Sequence, residues 1–91
     1  MQHVKTVIVK GKALEYFITQ PDSEFNEFGI MAKYEDKVEI VEALSDDYEF
    51  VHNLAVSLAE SNTMPEFIQE LCEEALFEAS FIEFVEEEKW I

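Results

Sequence analysis

The side chains that could do covalent or metal chemistry in this sequence are few and poorly arranged for it. Cys72 is the only thiol, and a cysteine nucleophile needs a nearby base and an accessible, electropositive setting. Glu73 and Glu74 follow it directly and oppose a thiolate, and its place on an apolar helical stripe marks it as a core residue. His52 lies off the main stripe of its helix, and His3 stands near the start of the chain. No two of His3, His52 and Cys72 have metal-ligand spacing, so neither a metal site nor a cofactor is expected. Asp22-Ser23-Glu24-Phe25-Asn26 opens like a calcium loop, but Glu27 occupies the required glycine position and Lys33 the place of the bidentate glutamate. With two glycines in the whole chain there is no phosphate cradle. The expectation is a protein that is not an enzyme.

Carboxylates are the abundant chemistry. The 91 residues carry 21 acids against six basic residues, for a net charge of -15, and arginine is absent. The distribution is uneven: 15 of the acids follow Lys37 and face only Lys89. Such a field selects partners of opposite sign. It argues against direct binding to nucleic acid or anionic membranes, which need clustered Lys or Arg. A small domain stays soluble with a net charge of about 2 to 8 in magnitude, so the excess suggests a surface for a basic protein partner. Rows of helical carboxylates can resemble phosphates and occupy the basic groove of a nucleic-acid-handling protein. Phage and plasmid inhibitors, anti-CRISPR proteins among them, are the analogous class by size and charge.

The elements that must carry these residues follow from periodicity. A 48% apolar content with eight Phe, three Tyr and one Trp is too rich for a disordered acidic tail, and the length fits a single domain over 1–91. No apolar run approaches a membrane span, no signal peptide is evident, and one cysteine suits a reducing, cytoplasmic setting. The first half alternates with period two. Val4, Thr6 and Ile8 oppose Val7 and Val9, a turn falls at Gly11-Lys12, and Leu14, Tyr16 and Ile18 share a face. Phe28, Ile30, Ala32 and Tyr34 alternate next, and a turn at Glu35-Asp36 leads into Val38, Ile40 and Leu44.

At Leu44 the period becomes 3.6. Asp46 is a candidate cap, and Val51, Leu54, Ala55 and Leu58 give a helix over about 47–60. Thr63 and Glu66 stand at capping-box spacing ahead of a second helix from Pro65. The expected fold is α+β: an antiparallel sheet of three or four strands, then two or three helices packed on one face.

The second helix carries the candidate partner-binding residues. Glu66, Glu70, Glu73 and Glu74 cover the side opposite Phe67, Ile68, Leu71, Cys72 and Ala75. At 100° per residue Phe77, Phe81 and Phe84 then fall on the azimuth of the glutamates, followed by a second acidic patch at Glu83, Glu86, Glu87 and Glu88. Either the helix breaks near Ser80 and turns these aromatics inward, or it runs straight and something else covers them. A homodimer through Phe77, Phe81, Phe84 and Trp90 is therefore the alternative to an acidic interaction module.

Glu15-Tyr16-Phe17, Phe28-Gly29-Ile30, Glu42-Ala43-Leu44-Ser45, Val51 with Leu54 and Leu58, and Asn62-Thr63-Met64-Pro65 span about residues 15–76. Their order resembles a family of small bacterial domains of unknown function, in which short strands precede a Phe/Tyr-Gly-Ile strand and a two-helix end. The resemblance implies the fold and no activity. This chain departs from that pattern in Met64 and in its Phe- and Glu-rich end beyond Glu78.

Overall fold

The structure, a computed structural model, describes residues 1–21 and 26–88, with the backbone alone for 79–88. Four strands, β1 (Gln2–Val9), β2 (Lys12–Thr19), β3 (Phe28–Tyr34) and β4 (Lys37–Ser45), pair in chain order as an antiparallel meander. Helix α1 (Tyr48–Glu60) follows, then a 3-10 turn (Pro65–Phe67) and helix α2 (Ile68–Glu88). This is the α+β arrangement expected, with helices on one face of the sheet.

Alternation decides which face is covered. Leu14, Tyr16, Ile18, Ile30 and Ala32 are fully buried and meet Val51 and Ala55 of α1 and Ile68 and Cys72 of α2 in one core. Their outward neighbours, Phe17, Met31 and Lys33, lie outside that core. The molecule is only 18 Å thick in its shortest dimension, which suits one sheet and one helical layer at about 10 Å separation.

The hairpins close through residues that accept positive φ. Between β1 and β2 the turn is Lys10-Gly11, with both residues at positive φ, one position earlier than the spacing predicts; that is the twist-matched two-residue turn. Between β3 and β4, Glu35 has φ 57° and pairs with Lys12 across the sheet end.

Two strands depart from strict alternation. Pairing shifts between His3 and Lys5, so Val4 packs on the core beside Val7 and Val9 instead of facing out with Thr6 and Ile8. In β4, Val38 and Ile40 oppose Lys33 and Met31 on the outer face, whereas Leu44 is buried with the core. The left-handed residue Ala43, φ 54°, marks that irregularity. Gly29 sits opposite it: a Cβ there would strike the Val41 carbonyl oxygen and Thr19 Oγ1, so the close approach of β3 to its neighbours requires glycine.

Helix α1 is capped by Asp47, whose Oδ1 accepts from the Phe50 amide at 3.3 Å. The expectation of Asp46 is corrected by one residue, because Asp47 is the last extended residue before the helix. The Thr63–Glu66 box does not form; Met64 precedes the 3-10 turn without a side-chain cap. Thr63 is held by its backbone instead, its amide donating to Leu58 O at 3.0 Å and its carbonyl accepting from the buried Tyr16 hydroxyl at 2.6 Å. The backbone of α2 continues through Ser80 to Glu88 without interruption, which settles the choice between a broken and a straight helix.

Candidate functional site

The acidic face is built by a helix anchored at one end. Pro65 and Ile68 are buried where the 3-10 turn enters α2, Cys72 is buried one turn on, and Leu71 and Leu76 pack partly on the core. These positions fix the rotation of α2 against β4 and α1 and turn the remaining positions to solvent. Glu66, Glu70, Glu73, Glu74 and Glu78 are all exposed. Four of them, Glu70, Glu73, Glu74 and Glu78, line a shallow open groove with Phe77, which is 72% exposed. The acids and the first aromatic of the sequence pattern are thus brought together on one surface. Phe81, Phe84, Glu83, Glu86, Glu87 and Glu88 continue the helix, but their side chains lie outside the described residues, as does Trp90 altogether.

Among the described residues no ion pair neutralises this surface. The ion pairs Lys5–Glu60, at 3.9 Å, and Lys12–Glu35 tie the sheet to α1 and one hairpin to the other. Neither, among the described residues, reaches α2. The last turn of α2 contains no basic residue to offset the negative end of its dipole. Glu70, Glu74 and Glu78 succeed one another at i, i+4, a spacing at which like charges cost a helix about 0.2 to 0.5 kcal/mol per pair.

The groups weighed for covalent chemistry fall elsewhere. Cys72 is buried, and burial, aided by Glu73, pushes its thiol up to about 11, leaving it protonated at neutral pH. Burial also holds the Tyr16 phenol well above its ordinary range. His52 is half-buried on α1, its ring 5.8 Å from that of Tyr48. His3 Nε2 meets Thr6 Oγ1 at 2.6 Å on the outer side of β1, with its ring edge-on to Phe17. Among the described residues no three His, Cys, Asp or Glu side chains gather into a metal cluster, and no helix is long and apolar enough to cross a membrane.

One surface went unread in the sequence. On the uncovered side of the sheet the pairing aligns His3, Phe17, Met31 and Ile40 in a row across all four strands, beside a second row of Thr6, Glu15, Lys33 and Val38. Ile8, Val38 and Ile40 are 68%, 49% and 44% exposed. The available signal is apolar residues at both parities, with Phe17 between Tyr16 and Ile18 and Met31 between Ile30 and Ala32. Comparison of the chain with protein-family models, with curated proteins and with solved structures found no match to any of them.

Proposed function

We propose that this chain is a non-enzymatic protein–protein interaction module that presents the outer face of α2 to a basic protein surface, as an inhibitor of a nucleic-acid-handling protein would. The observation that carries this reading is the exposed series Glu66, Glu70, Glu73, Glu74 and Glu78, to which no ion pair within the described residues extends. A charge arrangement that weakens its own helix is accounted for by a partner that supplies the missing cations.

The spacing suits a phosphate mimic. From Glu70 to Glu78 the helix advances about 12 Å, so its carboxylates recur roughly every 4 Å along the axis. One strand of DNA carries a phosphate every 3.4 Å or so. Phe77 adds an apolar contact within the same groove, so the face offers shape as well as charge.

The test is the quadruple variant Glu66→Gln, Glu70→Gln, Glu73→Gln, Glu74→Gln. It retains the circular dichroism spectrum of the parent and loses most of the partner captured from lysate at low salt, while capture by the parent falls steeply as salt rises. Capture that is unchanged by the four substitutions defeats the mimic reading. The homodimer through the C-terminal aromatics retains Phe77 as its one described member, and Phe77→Asp tests it by light scattering.

A further inference from the structure

We infer that the uncovered face of the sheet is a self-association surface, on which a second copy of this chain packs face to face about a twofold axis. The face has the composition of an interface. An antiparallel sheet with one side in water ordinarily presents polar residues there, whereas this one presents Ile8, Phe17, Met31, Val38 and Ile40.

Charge selects the occupant. Each copy carries -15, so two copies repel wherever acidic surfaces approach. The outer rows of the sheet are the exception: Glu15 stands directly opposite Lys33, and these two cancel. Neither forms an ion pair among the described residues, so each is available to the other copy, Lys33 to Glu15 and Glu15 to Lys33, as a twofold requires. The same packing puts the two α2 helices on opposite outer sides of the dimer, because α2 lies on the covered side of each sheet. It thereby separates the acidic faces and leaves both open to partners.

Area sets the strength. Strands of seven to nine residues span about 26 Å, and four of them are about 19 Å wide, so each copy contributes roughly 500 Å². The total, about 1,000 Å², is at the lower limit for specific interfaces. The dimer is accordingly weak and reversible.

Sedimentation velocity of the full chain, across protein concentration and from low salt to about 0.5 M NaCl, tests this. Added salt screens the repulsion between copies, so dimer grows with salt, the reverse of the dependence of α2 capture. Ile40→Lys and Met31→Lys are each monomeric throughout, whereas Phe77→Asp associates as the parent does. In case a lysine disturbs β4 or β3, dilution of the parent is followed by amide NMR, and the shifts that move belong to outward residues of the sheet. A parent that is monomeric at millimolar concentration in high salt overturns the inference. So does association lost with Phe77→Asp and retained in Ile40→Lys, or dilution shifts confined to α2.

Discussion

Helices α1 and α2 are both more than half apolar, but eight of the 21 residues of α2 are acidic against two of the 13 of α1, and the two relate to the sheet in different ways. Helix α1 is thirteen residues long, capped by Asp47, and buries Val51, Ala55, Leu58 and Ala59 against the sheet. Helix α2 is 21 residues long, and among its residues with described side chains the fully buried ones, Ile68 and Cys72, fall in its first two turns. Among the described residues, α1 alone of the two helices has an ion pair, through Glu60 at its end. The difference separates two demands on a small domain: α1 is arranged for stability, whereas the outer face of α2 carries charge that stability alone does not explain.

The most severe way to break this contrast is to remove a buried side chain from α1. Leu58→Ala should cost about 2 to 5 kcal/mol, lowering Tm by at least 8 °C or so in a domain of this size. A loss below about 1 kcal/mol, measured by urea unfolding, would show that α1 is not the anchor described.

A second, smaller effect tests the link that holds the start of α2 to the sheet. Tyr16→Phe leaves the Thr63 carbonyl without its buried donor and should cost about 1 to 3 kcal/mol. The same link has a pH signature. Tyr16 and Cys72 both have folded pKa values raised above their ordinary 10.0 and 9.0, so the unfolded chain loses these protons first. Their contribution is complete below about pH 9 and declines as pH climbs through 11, so Tm should fall over that window. A flat Tm from pH 8 to 11 would sink this account.

The smallest effect has the opposite sign and sharpens the contrast most. Neutralising Glu73, Glu74 and Glu78 to Gln relieves like-charge pairs worth about 0.2 to 0.5 kcal/mol each. Tm at low salt should rise by a few degrees, and the gain should vanish in high salt. Destabilisation would mean that these acids serve the fold.

How far the sequence discloses this arrangement depends on whether local or long-range contacts decide a feature. Period-two alternation at Leu14, Tyr16 and Ile18, and at Phe28, Ile30, Ala32 and Tyr34, identifies the covered face because a strand has only two sides. The helical stripe of Val51, Ala55 and Leu58 is legible for a similar reason. Val4 and Leu44 are misread because a single irregularity in pairing reverses the side on which later residues fall, and nothing local announces it. The Thr63 box does not form because the Thr63 amide that Glu66 would accept from already donates to Leu58 O, while Tyr16, 47 residues away in sequence, holds the Thr63 carbonyl. The acidic row on α2 was readable since its turns are regular. The apolar rows outside the sheet were not, because they form only when four strands are in register.

Gly29 carries a consequence for ancestry. Its place in Phe28-Gly29-Ile30 is imposed by backbone approach, with no room for a Cβ beside Val41 and Thr19. Any unrelated chain that closes a meander around the same irregularity would meet the same steric demand and converge on glycine at this position. The glycine is thus a mark of geometry that can arise repeatedly, and common descent has to be argued from residues that the backbone leaves free to vary.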